Sequence, residues 1–245
     1  MNIKYFVGKT LNNILIKLIE KIPYSLSFIP NGRFAELDII RSKEAISTIF
    51  DVGANIGQTA LNYINIFPKA IVYSFEPVKE SYDKLVQNLL SYPNVYAINT
   101  ALGAEKRKLT ISLNSDSQIN SLKNIVINSG HITERITVDT GKSFCDQNKI
   151  TYIDLLKIDT EGYELDVLQG FDKQFLMEHV KFIYCEVGFD TDDLYKTTFS
   201  DASSYVRDCG FITTGFYESS RWGKTKLKLG FCNVLFTNSN LVEIF

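Results

Sequence analysis

An α/β domain built on a mostly parallel sheet is what the sequence predicts, and three observations carry that expectation. From residue 49 onward, short β-branched and aromatic runs alternate with amphipathic helical stretches, the rhythm of βαβ units joined by right-handed crossovers. The first run ends in Asp51-Val52-Gly53-Ala54-Asn55-Ile56-Gly57, a tight turn that opens a helix. The second run ends in Glu76-Pro77, a carboxylate at a strand tip followed by a residue that cannot continue the ladder.

Residues 3–22 place Ile3, Phe6, Leu11, Ile14, Leu18 and Ile22 at helical spacing, and Lys4, Lys9, Lys17 and Lys21 make this amphipathic helix basic. It is expected to pack on the main domain or on a second copy of the chain, with a membrane surface as the weaker alternative. Its scattered charges argue against both a signal peptide and a membrane span. Pro23 and Pro30-Asn31-Gly32 break it. Next, 34–40 reads as a short strand or turn and 43–47 as a small helix. On this reading residues 1–45 form a helical extension and 46–245 the main domain.

In the main domain the expected order is strand 49–52, helix 58–66, strand 70–75, helix 78–91 and strand 95–99. Residues 108–113 alternate as a hairpin or edge strand does, 114–120 form a polar loop, and strand returns at 132–138. A helix at 140–148 leads into the most apolar strand, 153–158. A helix at 163–170, a strand at 182–185 ending at Glu186, a helix near 200–209 and strands at 211–217 and 231–237 complete the pattern. Between the last two strands, 219–228 carries Arg221, Trp222, Lys224, Lys226 and Lys228 and reads equally as a solvated hairpin loop or an acceptor-binding loop.

A chain of 245 residues, 45% hydrophobic and 22% charged, fits one α/β domain with a sizeable core. A net charge of -2 argues against a nucleic-acid partner held by bulk phosphate attraction. Four cysteines without a Cys-x-x-Cys pair, and only two histidines, argue against structural zinc and for a reducing, cytoplasmic compartment.

The turn after the first strand constrains the ligand. Gly53 permits the sharp bend, Asn55 tolerates a left-handed backbone, Gly57 leaves room at the helix start, and Ala54 adds little bulk. The helix N-terminus offers N–H groups and a positive dipole end to an anion, with the Asp51 carboxylate one loop away. A ligand carrying a carboxylate beside a cationic amine, as in the methionine part of S-adenosylmethionine, satisfies both. The pyrophosphate fingerprint Gly-x-Gly-x-x-Gly is not met, which disfavours a nicotinamide-dependent oxidoreductase on the same sheet. Glu76 is placed to accept hydrogen bonds from both hydroxyls of a ribose. A non-catalytic nucleoside-binding module is the rival from another class, and RNA methylation a further one that the net charge disfavours.

Four stretches together resemble the FkbM family of S-adenosylmethionine-dependent methyltransferases: 50–57, Phe75-Glu76-Pro77, Asn99-Thr100-Ala101-Leu102-Gly103, and above all 154–170 with its Lys157-Ile158-Asp159-Thr160-Glu161-Gly162-Tyr163-Glu164 block. The likeness runs from about residue 48 to 190. It implies a class I (Rossmann-like) methyltransferase fold, a seven-stranded sheet of order 3-2-1-4-5-7-6 with the last strand antiparallel. It also implies transfer to a hydroxyl of a sugar, glycan or glycolipid precursor. Within that frame Asp51, Gly53, Ala54, Asn55 and Gly57 are expected to hold the methionine end, Glu76 the ribose, and Asn99, Thr100 and Ala101 the adenosine side. Asp159 and Glu186, on adjacent strand tips, face the acceptor. One of them takes its proton, or the two bind a divalent cation, for which hard oxygen ligands suit Mg2+ better than zinc. Lys157 completes the candidate catalytic set, although its mid-strand position favours a buried ion pair.

Overall fold

The computed structural model describes residues 35–113, 133–193 and 195–243. The basic helix expected at 3–22 and the loop at 114–120 lie outside them. In chain order the elements are α1 (Ala35–Arg41), β1 (Thr48–Val52), α2 (Gln58–Ile66), β2 (Ile71–Phe75), α3 (Lys79–Leu89), β3 (Val95–Ile98), β4 (Ala101–Leu102), β5 (Arg107–Ser112) and β6 (Thr133–Asp139). Then come α4 (Gly141–Asn148), β7 (Ile153–Ile158), α5 (Glu164–Gln169), α6 (Lys173–His179), β8 (Val180–Gly188), α7 (Phe199–Arg207), β9 (Phe211–Trp222) and β10 (Lys228–Asn238).

A seven-stranded sheet runs β3-β2-β1-β7-β8-β10-β9. Numbered among themselves, these strands have the order 3-2-1-4-5-7-6, as expected. Parallel pairing joins β3 through β8, and β10 lies antiparallel to both β8 and β9. All six residues of β7 are buried, which is what a central strand covered on both faces requires. The two-residue period sorts its neighbours: Phe50 and Leu156 join one core with Phe171 and Val206, while Ile49 and Leu155 join the opposite core with Ala60, Tyr63 and Leu85. Asp154 fixes the start of β1 by accepting hydrogen bonds from the Ser47 and Thr48 N–H groups at 2.8 and 2.9 Å, and it pairs with Lys181 at 3.0 Å.

Several expectations need correction. Residues 35–41 form a helix, α1, where a strand or turn was expected, and 43–47 is not helical. Ala35 and Ile39 are buried in the α2-side core, and that apolar pair stabilises the helical turn. The strand at 182–185 is longer, because β10 pairs with β8 as far as Gly188. The basic 219–228 segment is mostly ladder: β9 reaches Trp222 and β10 begins at Lys228, which leaves 223–227 as the turn. The short helix α6 carried no clear apolar period. Finally, β5 is one strand of a second, three-stranded sheet of order β4-β6-β5. Its apolar face packs Ile111, Ile136 and Val138 with Val78 and Tyr163, and so roofs one end of the main sheet's C-terminal edge.

All four cysteines are buried and free. Among the described residues no helix is long and apolar enough to cross a membrane.

Candidate active site

The tips of β1, β2, β7 and β8 open into one cleft of about 820 Å³. Of the residues singled out from the sequence, Gly53, Ala54, Asn55, Glu76, Ala101, Lys157, Asp159 and Glu186 line it. Asp51, Gly57, Asn99 and Thr100 do not, and each has a structural reason.

Asp51 is fully buried beneath the cleft, 3.3 Å from the Lys157 ammonium, so Lys157 stands where the expectation put a ligand amine. Gly57 is the N-cap of α2 with φ of 95°, and a side chain there would meet Leu85 at 2.8 Å; its small size serves helix packing. Asn99 donates to the carbonyls of Glu76 and Pro77, both at 2.9 Å, and thereby fixes the chain beyond β2. The Thr100 hydroxyl donates to the Asn99 carbonyl.

The cradle at one end of the cleft follows from the turn. Gly53, at φ of 81°, leaves no room for a Cβ, which would stand 1.8 Å from the Asp159 carbonyl oxygen. Asn55 takes the left-handed backbone anticipated for it, with φ of 47°. Its amide oxygen is buried and meets no donor among the described residues. Thr140, Asp172 and Thr198 cap their own helices with side chains, but α2 begins without a side-chain cap, and its first residues Gln58 and Thr59 line the cleft. Uncapped N–H groups and the positive end of the helix dipole are thus presented to the cavity.

Glu76 closes the same end. Its Oε2 accepts from the Asn55 N–H at 2.9 Å and its Oε1 from the Val78 N–H at 2.8 Å. Each oxygen keeps a second lone pair, so a fixed carboxylate faces the cleft able to accept two further hydrogen bonds. Burial pushes its carboxyl up to about 7, against the pull of those two N–H groups. Because the folded value lies above the free one, this group's contribution to stability falls as pH rises from about 4.5 to about 7.

The opposite end holds two lysines, each between two acids. Lys157 lies 3.3 Å from Asp51 and 3.5 Å from Asp159. Burial works against its ammonium, but the two carboxylates outweigh burial and hold it charged. Glu186, pushed up to about 8 by burial and by Asp159, contacts the Lys196 ammonium, which also lies 2.6 Å from Glu161. Carboxylate oxygens of Asp159, Glu161 and Glu186 all lie within 4.8 Å of one another. Lys196 already stands against two of these three groups. The divalent ion expected at Asp159 and Glu186 does not fit the site in this arrangement.

Sequence reasoning missed Glu161 and Lys196 as lining residues, and with them Phe231 on the outer wall, whereas Trp222 belongs to the 219–228 segment that read equally as an acceptor-binding loop. Glu161 stands inside the 157–164 block, in a turn whose sequence has no period to show which way its side chain points. Lys196 follows β8 in a stretch with no periodicity, so nothing local announced it. The organiser of both is Glu164, which is fully buried. Its Oε1 accepts from the Thr160 N–H at 2.9 Å, the Thr160 hydroxyl at 3.1 Å and the Gly162 N–H at 3.0 Å, while its Oε2 accepts from the Thr197 N–H at 3.3 Å. One carboxylate therefore straps the 159–164 loop to the segment that carries Lys196.

Residues 51–213 match the family model described as "Methyltransferase FkbM domain". The chain is 24% identical over 207 residues to "Methyltransferase 1" of Beauveria bassiana, which covers 75% of this chain and 78% of that protein. It is 28% identical over 167 residues to "Hexuronic acid methyltransferase AglP" of Haloferax volcanii, with 66% of each covered. Among solved structures, that of M. capricolum TrmK with S-adenosyl-homocysteine aligns at a TM-score of 0.47 and 9% identity, over 84% of this chain and 69% of that one, a likeness too distant to carry any argument.

Replacing Glu164 by Gln keeps its shape but removes the charge and one acceptor. It should lower the unfolding free energy by about 2–3 kcal/mol, a fall in Tm of roughly 4–12 °C for a domain of this size. Thermal unfolding checks the first. Faster amide exchange at Thr160 and Gly162 checks that the strap is what was lost.

Proposed function

The chain belongs to the FkbM methyltransferase family, and from that premise we propose that it transfers the methyl group of S-adenosylmethionine to a hydroxyl oxygen of a sugar, glycan or glycolipid precursor. The observation that carries the reading is the pairing of an uncapped α2 N-terminus with a carboxylate, Glu76, whose free lone pairs face the same cavity. The first suits the donor's carboxylate and the second its ribose hydroxyls. The orphaned Asn55 oxygen adds an acceptor for a polar hydrogen of the donor. With these groups the residues present fit the donor. A sugar acceptor is supported by the outer wall, where Trp222 and Phe231 offer apolar faces beside carboxylates, and by the hexuronic acid named for the archaeal relative.

Bound at this end, the donor supplies an electrophilic methyl carbon on a sulfonium. The chain's own work is to hold an acceptor oxygen in line with that carbon and to take its proton. Asp159 is the group suited to the second task. Its side chain is 38% exposed to the cleft, and Lys157 at 3.5 Å keeps a positive charge beside it. Glu186 is gripped by Lys196 and serves to orient the hydroxyl. Lys157, between Asp51 and Asp159, acts as a fixed charge and not as a base.

Labelled S-adenosylmethionine incubated with a panel of nucleotide-sugar and glycolipid acceptors, with and without EDTA, tests the reaction class. With an accepted substrate, Asp159→Asn should reduce turnover by about 10²–10⁴-fold while donor affinity stays within about twofold; undiminished turnover removes Asp159 from the mechanism. Only the carboxylate form of Glu76 accepts from both hydroxyls. Donor affinity measured by calorimetry should therefore rise about 10-fold between pH 6 and 8, centred near 7 as its raised carboxyl requires, and Glu76→Gln should abolish that slope.

A further inference from the structure

The three-carboxylate cluster beside the cleft has the spacing of a divalent-cation site, with oxygens of Asp159, Glu161 and Glu186 within 4.8 Å of one another. A cation of another kind is built into it. The Lys196 ammonium lies 2.6 Å from Glu161 Oε2 and in direct contact with Glu186 Oε1, and the residue is only 9% exposed. We propose that Lys196 is the tethered cation of this site: its ammonium takes the place a divalent metal would fill, so the protein binds no metal there and keeps Glu161 and Glu186 as a fixed pair facing the acceptor.

The surroundings hold that ammonium where it is. Gly188, the last residue of β8, leaves a slot for the lysine stem, since a Cβ there would stand 2.7 Å from the Lys196 Cβ. The ammonium also lies over the Phe231 ring, 4.9 Å from its centroid, a cation–π contact. Thr197, the next residue, is bound three ways: its N–H to Glu164, its hydroxyl to the Gly162 carbonyl at 3.3 Å, and its carbonyl to the Gly188 N–H at 2.8 Å. The stem, the head and the backbone of Lys196 are thus each fixed by a different element. A surface lysine that happened to reach an acid would show none of this, because its rotamer freedom resists ordering in one geometry. A divalent ion entering the triangle would meet the ammonium at close range and would have to expel it from both carboxylates.

This inference rests on reading the cleft as the methyl-transfer site only for the role of the fixed pair; the metal question stands alone. Its test is titration of the full chain with Mn2+, the free ion followed by electron paramagnetic resonance. Wild type and Lys196→Arg should take up no specific Mn2+. Lys196→Met and Lys196→Gln, which remove the cation but keep the stem's bulk, should bind one ion, with affinity higher by on the order of 100-fold. Lys196→Arg should also retain turnover that Lys196→Met loses, as rescue by the conservative change requires. Specific Mn2+ uptake by wild type overturns the proposal, as do neutral variants that stay metal-free while still binding S-adenosylmethionine in calorimetry. Failure of wild type to bind that donor would instead count against the function proposed above, and would leave the Mn2+ result to be read by itself.

Discussion

The structure depends on one buried ammonium. Lys157 sits in the central strand β7, directly across the ladder from Asp51 in β1, and its side chain reaches between Asp51 and Asp159. Taking Lys157 and Asp51 out of water is costly, and their mutual attraction offsets that cost only while the strands keep this register. Removing the lysine would leave Asp51 buried without its counter-charge, a loss of about 3–5 kcal/mol. The same ammonium lies 3.4 Å from the Gly53 carbonyl. The turn that frames the cleft is therefore tied to the charge at the centre of the sheet.

From that anchor the cleft divides into two halves with different physics. On the α2 side, positively polarised N–H groups and a backbone-held carboxylate make a rigid, mostly neutral cradle whose parts lie close in sequence. On the β8 side, two lysines each stand between two acids: Lys157 between Asp51 and Asp159, and Lys196 between Glu186 and Glu161. Each charge there is partly cancelled by its neighbour, so the group can be held close to an incoming hydroxyl without a large net field. Glu164 and the Gly53 close approach join the halves, because the 159–164 loop packs against the first turn on one side and the Thr197 segment on the other.

The fold was legible because its information is periodic. Buried runs such as Ile153 to Ile158 and the strand-turn-helix at Gly53 to Gly57 are local, and the strand order follows from the family pattern. Positions at strand tips were legible too, which is why Glu76, Asp159 and Glu186 were found. What the tips do was less so. Asp51 and Asn99 read as ligand contacts, but both are occupied by partners distant in sequence: Asp51 by a lysine on β7, the neighbouring strand in the sheet, Asn99 by carbonyls just beyond β2. Lys196, Trp222 and Phe231 reach the cleft from β8 onward, where tertiary pairing and not local pattern decides direction. The second sheet was hidden for the same reason, since β5 finds its antiparallel partner β6 at a distance along the chain that no local pattern spans.

A crystal structure with S-adenosylhomocysteine bound tests the central claim most directly. The account predicts ribose hydroxyls at about 2.6–3.0 Å from the Glu76 carboxylate, the amino-acid carboxylate at the Gln58 and Thr59 N–H groups, and the sulfur facing Asp159. An adenosyl group seated outside this cleft, or seated in it with Glu76 untouched by the ribose, would contradict it.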